Sequence, residues 1–126
     1  FQKKALIKKP DIIDEFLLVD QNDIFIEGLF SNLMWVNNDV LYFVNEEQCI
    51  LNGLMQNKII DLCHKIGIKT ISKSGLCKGE CQNTESLLLC NMVKGVRYVK
   101  ELNGRKFNTH KIINKLQESL LTELED

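Results

Sequence analysis

No stretch of this chain is apolar for anything near the roughly 20 residues that a membrane-spanning helix needs, and none has the charged-then-apolar order of a secretion signal. No membrane partner is therefore expected. Charge of one sign is also scarce: 16 Lys and Arg stand against 17 Asp and Glu, a net charge of −1, and they are scattered rather than striped. That argues against a nucleic-acid surface. Internal repeats, low-complexity tracts and linker-like stretches are missing too, so a single domain over residues 1–126 is expected. The cysteines (Cys49, Cys63, Cys77, Cys81 and Cys90) are odd in number and come without a secretory signal, which reads as reduced thiols in the cytoplasm. Cys77 and Cys81 have no second pair beside them, and His64 falls on a separate element. A zinc site shows four ligands in recognisable pairs, so no metal is expected. His64 and His110 read as helix-surface residues, and Lys3-Lys4 and Lys8-Lys9 as a solvated face.

What is there is ordinary for a globular fold: 44% apolar and 26% charged residues in a chain long enough to bury a core. Residues 1–9 read as the end of a helix stopped by Pro10. Residues 15–20 are apolar and continuous, the mark of a buried strand, and Gln21-Asn22-Asp23 is turn chemistry before a second strand at 24–26. Residues 33–36 and 40–44 form a hairpin across Asn37-Asn38-Asp39. Over 53–66, Met55, Ile59, Cys63 and Ile66 share one helix face, with Gly67 as the stop. A strand at 68–71 follows, then a polar loop over 73–85 with room for one helical turn. Residues 87–90 are apolar, 95–102 alternate in part, and Asn103-Gly104 is a hairpin turn. Thr109 is placed to cap a last helix carrying Ile113, Leu116, Leu120 and Leu124.

The stretch 27–57 organises the rest. It opens with Glu27-Gly28-Leu29-Phe30-Ser31-Asn32-Leu33-Met34-Trp35-Val36, passes through the hairpin, and ends at Asn52-Gly53 where the helix begins. A tight turn feeding a helix leaves unpaired backbone N–H groups at the positive end of the helix dipole, which suits a phosphate. In this order the stretch resembles the class-IV (fold-type IV) pyridoxal-phosphate enzymes, with their pattern E-G-x-x-S-N-[LI]-[FM]-x-V, a hairpin, and then x-x-G-[IL]-x-R. That family includes aminodeoxychorismate lyases, D-amino-acid aminotransferases and branched-chain aminotransferases. Nearly the whole chain is covered, but only the C-terminal half of a family member.

The resemblance implies an α+β fold, the larger C-terminal domain of such an enzyme, with a strand-rich pseudo-barrel flanked by helices. It implies pyridoxal 5'-phosphate as cofactor. Glu27 matches the carboxylate that keeps the cofactor's pyridine nitrogen protonated through a charge-assisted hydrogen bond. Gly53 permits the turn whose amides, at Leu54 and Met55, hold the phosphate. Ser31 and Asn32 hold the turn that aims Glu27, since such side chains bond readily to local backbone. Cys90-Asn91-Met92-Val93 resembles the lyase form of a second phosphate-binding turn, with the Asn91 side chain and the Met92 amide as contacts.

The expected parent is therefore an aminodeoxychorismate lyase, which eliminates pyruvate from 4-amino-4-deoxychorismate to leave 4-aminobenzoate for folate synthesis. The alternative is a class-IV aminotransferase for branched-chain or D-amino acids. A small amino substrate and a homodimer are implied in either case. The family's Schiff-base lysine lies upstream of Phe1 by this alignment, so no catalytic residue is assigned here and the chain alone is expected to be inactive. Three positions depart from the pattern: Gln56 stands where relatives carry Arg, and Leu29 and Phe30 where they carry small or polar residues, crowding the ring side of the pocket. With the Phe1 start, these fit a further reading, a truncated non-catalytic remnant or dimerising partner.

Overall fold

A computed structural model of the chain describes Lys4–Leu6 and residues 15–125. The elements run β1 (Lys4–Leu6), β2 (Leu17–Val19), β3 (Ile24–Gly28), β4 (Asn32–Asn37), β5 (Val40–Val44), α1 (Leu54–Ile66), β6 (Lys69–Lys73) and β7 (Leu76–Cys77). They continue α2 (Lys78–Gln82), β8 (Ser86–Asn91), β9 (Gly95–Tyr98), β10 (Glu101–Leu102), β11 (Arg105–Lys106) and α3 (Lys111–Glu125). The architecture is α+β, strand-rich with flanking helices.

Strand β4 explains the layout. Its sequence does not alternate apolar with polar, because both of its faces are buried. Successive side chains of a strand point to opposite faces. Met34 and Val36 accordingly join one core, with Leu41, Leu88 and Cys90 from the neighbouring strands and with Met55, Ile59, Ile113 and Leu116 from α1 and α3. Leu33 and Trp35 join the other, with Leu87 and Leu89 and with Leu17, Val19, Phe25 and Leu76 from β2, β3 and β7. Two sub-sheets therefore share one strand. On one side β4 pairs antiparallel with β5 and β8, β8 with β9, and β6 joins β5 in parallel after the crossover through α1. On the other, β3 pairs with β2 and β7. The ladder between β3 and β4 is the single pair Glu27–Asn32, which makes that pair the corner of the sheet.

The turns form where the sequence places residues that tolerate positive φ. Asn38 and Asp39 sit at φ 51° and 61° between β4 and β5, and Asn103 and Gly104 at 48° and 86° between β10 and β11. Gly67 ends α1 in the left-handed region, its N–H returning to the Cys63 carbonyl.

Several expectations are corrected. Lys4–Leu6 is not the end of a helix but a strand paired with β2; the rest of the segment 1–10 lies outside the described residues. The apolar run 15–20 is strand only over Leu17–Val19. The polar stretch 73–85 holds the expected helical turn, as α2, but also a strand that was not expected: Leu76 is fully buried in β7, and Gly75 lets that strand approach β3, since an added Cβ would lie 2.4 Å from Ile24 and 2.9 Å from the Phe25 carbonyl. The cap of α3 is His110 rather than Thr109, because the His110 carbonyl takes the first helical N–H, from Asn114, and its Nδ1 takes the Ile112 N–H. His110 is not a surface residue either; its Nε2 lies 3.5 Å from Glu85 and 3.7 Å from Asp39. His64 is at the surface, beside Thr70.

Two stability predictions follow from this packing. Ile59→Ala and Leu116→Ala each empty a fully buried site between helix and sheet, and each should cost about 2–5 kcal/mol in urea unfolding. Burial also pushes three thiols up from 9.0, Cys63 and Cys81 to about 11 and Cys90 to about 12. A folded-state value raised in this way favours the native state while the thiol is neutral. That contribution is complete below pH 9 and is lost as pH rises through about 11 to about 12, so the urea midpoint should fall over that window. Replacing Cys63 and Cys90 with Ala should flatten the fall.

Candidate active site

Three segments distant in sequence meet at the corner of the sheet. The first is the end of β3. Glu27 is fully buried, and its two carboxylate oxygens accept the backbone N–H groups of Ile50 (2.8 Å) and Leu51 (3.1 Å). Two amides pointing at one carboxylate fix its direction. They also tie the segment that leads into α1 to the corner.

The second segment is the start of α1. The first helical bond runs from Asn57 N–H to the Gly53 carbonyl, so the amides of Leu54, Met55 and Gln56 precede the helical ladder. No side chain caps this end; Asn52 Oδ1 reaches Leu54 N–H only at 3.5 Å. Gly53 has φ −100°, an ordinary value, so the turn does not demand glycine there as the sequence reading supposed. The third segment is the turn after β8. Asn91 Oδ1 accepts the N–H groups of Val93 (3.0 Å) and Lys94 (2.7 Å), and its Nδ2 donates to the Phe30 carbonyl (3.1 Å) and Ser31 Oγ (2.9 Å). All four hydrogen-bonding positions of that amide are occupied. The Asn91 side chain thus shapes the turn, and phosphate contact from this side is left to backbone such as the Met92 amide.

A pocket of about 300 Å³ opens between these segments, lined by Phe30, Asn32, Leu51, Asn52, Leu54, Met55, Asn91 and Met92. Five of the eight residues singled out in the sequence line it: Asn32, Leu54, Met55, Asn91 and Met92. Glu27, Ser31 and Gly53 are not among its lining residues. Asn32 is 4% exposed, and its Nδ2 has no partner among the described residues. A buried donor without an acceptor is costly, and here it belongs to a residue that lines the same pocket as an uncapped helix start. Both features suit an anionic group.

The departures also find places. Gln56 is 2% exposed and turns inward, its Nε2 donating to the Val44 carbonyl (3.1 Å), so it ties α1 to β5. Phe30 is 71% exposed at the pocket rim, whereas Leu29 does not line it. Cys77 accepts the Glu80 N–H as the cap of α2, Cys81 is buried, and among the described residues no three His, Cys, Asp or Glu side chains converge to hold a metal.

The sequence reading missed Glu15 and Arg97. Glu15 is 8% exposed and accepts hydrogen bonds from Phe30 N–H, Ser31 Oγ and Arg97 Nη2. The available signal was a carboxylate opening an apolar strand segment. Ser31 was expected to bond to local backbone; its partners are instead Glu15, Asn91 and Arg97.

The profile of the family described as Amino-transferase class IV matches residues 2–102. No curated protein sequence matches the chain. Among solved structures the chain is similar to 4-amino-4-deoxychorismate lyase from Pseudomonas aeruginosa, with a TM-score of 0.85 and 24% identity over 94% of this chain and 43% of that one. It is similar to branched-chain amino acid aminotransferase from Escherichia coli, with a TM-score of 0.80 and 19% identity over 86% of this chain and 38% of that one. An aminotransferase from Brucella abortus bound to the cofactor PLP gives a TM-score of 0.81 at 14% identity, over 90% of this chain and 40% of that one. At these identities the likeness is one of fold, and the chain spans less than half the length of the structures it resembles. The profile match covers most of the chain, and the residues it covers build the corner, the helix start and the turn after β8: the chain belongs to the class IV aminotransferase family.

Proposed function

We propose that this chain is the cofactor-binding domain of a pyridoxal-phosphate enzyme, an aminodeoxychorismate lyase that converts 4-amino-4-deoxychorismate to 4-aminobenzoate and pyruvate for folate synthesis. The observation that carries the cofactor reading is the shared pocket, with the uncapped start of α1, the Asn91–Met92 turn and the unpartnered Asn32 amide on its walls. These residues fit the phosphate end of the cofactor. The amides of Leu54, Met55 and Met92 would hold the phosphate, with Asn32 Nδ2 as a further donor. Glu27 would hold the proton on the pyridine nitrogen, its direction set by Ile50 and Leu51. When bound, the cofactor supplies an electron sink for bonds at the amine-bearing carbon of the substrate. The likeness to the Pseudomonas aeruginosa lyase and the Cys90-Asn91-Met92 turn support the lyase. The likeness to the Escherichia coli enzyme supports the second reading, a branched-chain or D-amino-acid aminotransferase.

The same proposal includes a longer natural protein, a cytoplasmic location and a homodimer. The greater length of the related structures supports the first. No helix among the described residues is long and apolar enough to cross a membrane. Exposed Phe30, Ile50, Leu54 and Met92, an apolar group around the pocket, support a partner surface there.

Titration of the purified full-length protein with pyridoxal 5'-phosphate should give saturable binding with visible absorbance. Glu27→Gln keeps the shape and loses the charge, and should weaken binding by about tenfold or more and alter the absorbance. No binding by the unaltered protein overturns the cofactor reading. Pyruvate release from 4-amino-4-deoxychorismate, without transfer of the amino group of branched-chain or D-amino acids, is the outcome expected of the lyase; the reverse selects the aminotransferase. The intact mass of the natural gene product should be about twice the 14.5 kDa of this chain. A mass matching 126 residues would overturn the domain proposal.

A further inference from the structure

Next to the pocket lies a polar cluster with no part in the chemistry above. Glu15 Oε1 accepts Ser31 Oγ (2.9 Å) and Arg97 Nη2 (3.0 Å), and Oε2 accepts the Phe30 N–H (3.2 Å). The Glu15 side chain is 3% exposed and that of Arg97 29%, so the ion pair is largely withdrawn from water. Ser31 Oγ is the hub: besides Glu15, it is met by Arg97 Nη2 (3.3 Å) and Asn91 Nδ2 (2.9 Å).

These bonds reach both ends of the candidate site. Phe30 and Ser31 belong to the turn closed by Gly28 N–H to the Ser31 carbonyl, and that turn is flanked by the Glu27–Asn32 corner. Asn91 orders the amides of Val93 and Lys94, in the turn that carries Met92. Gly28 completes the argument. It is not among the residues with positive φ, so the turn does not demand glycine. Space does: an added Cβ would lie 1.8 Å from Glu15 Oε2 and 2.8 Å from Glu15 Cδ. The glycine next to Glu27 is therefore the slot into which the Glu15 carboxylate fits.

We propose that Glu15, paired with Arg97, is a positioning residue that fixes the separation between the Glu27 corner and the Asn91–Met92 turn, and so the fit of the cofactor between its two ends. The proposal rests on reading those two parts as opposite ends of one cofactor site. Glu15 contacts neither Glu27 nor Met92 through any of these bonds; it holds the corner turn at Phe30 and Ser31 and reaches Asn91 through Ser31 Oγ. It acts through Phe30, Ser31 and Asn91, and Arg97 balances its charge.

The test uses the full-length protein, unaltered and with Glu15→Gln, Gly28→Ala or Ser31→Ala. Gly28→Ala keeps every charge and only displaces the Glu15 carboxylate; Ser31→Ala removes the hub alone and is the mildest change should Glu15→Gln fail to fold. The first readout is hydrogen exchange at the Val93 and Lys94 amides in cofactor-free protein, with β6 amides as reference. The second is the dissociation constant for pyridoxal 5'-phosphate and the circular dichroism of the bound chromophore. The expected result is about tenfold faster exchange at Val93 and Lys94 in every folded variant, weaker binding and a changed dichroic band, with β6 unchanged. A merely structural role would speed Val93, Lys94 and β6 together. That outcome, or unchanged exchange and affinity while the unaltered protein binds cofactor, overturns the proposal and leaves the cofactor reading standing. No binding by the unaltered protein removes the cofactor reading, and the positioning role with it.

Discussion

The hydrogen bonds from Ile50 and Leu51 to the buried carboxylate of Glu27 hold the architecture of the site together. A buried carboxyl group must find hydrogen-bond partners, because leaving its oxygens unpaired away from water is costly. The backbone N–H groups of Ile50 and Leu51 are two such partners, with no side-chain freedom to lose. They also attach the approach of α1 to the corner between β3 and β4. The position of the helix start is tied in this way to the Glu27 carboxylate. Polar side chains behind this corner extend the same logic, with Glu15 and Arg97 neutralising each other while ordering two turns.

Both sub-sheets converge on this corner for a reason of packing. A strand buried on both faces must be covered twice, once by helices and once by other strands, and β4 is that strand. The Glu27–Asn32 ladder pair is where the chain leaves one sub-sheet for the other. Regular pairing is thinnest there, so polar side chains have room to turn inward. A pocket at that location is a consequence of the topology, and the residue types decide what it can hold.

Much of this was legible in the sequence where the controlling physics is local. Asn38-Asp39 and Asn103-Gly104 adopt positive φ because such residues tolerate it, and the faces of α1 and α3 follow from helical spacing. Glu27 and the Asn52-Gly53 break stood out through their order along the chain. What was not legible depends on distant partners. Strand β7 is two residues long, and only its pairing with β3 makes it a strand. The Arg97–Glu15 pair spans 82 positions; Glu15 opens an apolar segment, but nothing local names Arg97 as its partner. Asn91 looked like a ligand because its neighbours resemble a phosphate turn; in the fold its amide is fully engaged in building that turn.

The pairing of β4 with β8 has a consequence for how the pocket comes into being. Asn32 pairs with Cys90, far along the chain, and the intervening residues supply β5, α1, β6 and β7. Closing so long a loop costs chain entropy before any contact compensates it, so such pairings are slow to form in folding. The three walls of the pocket therefore do not exist together in a partly folded chain. A small anion that binds between them recognises only the finished topology, and by mass action it shifts the folding equilibrium toward that state. The pocket is in this sense a reporter of completed folding.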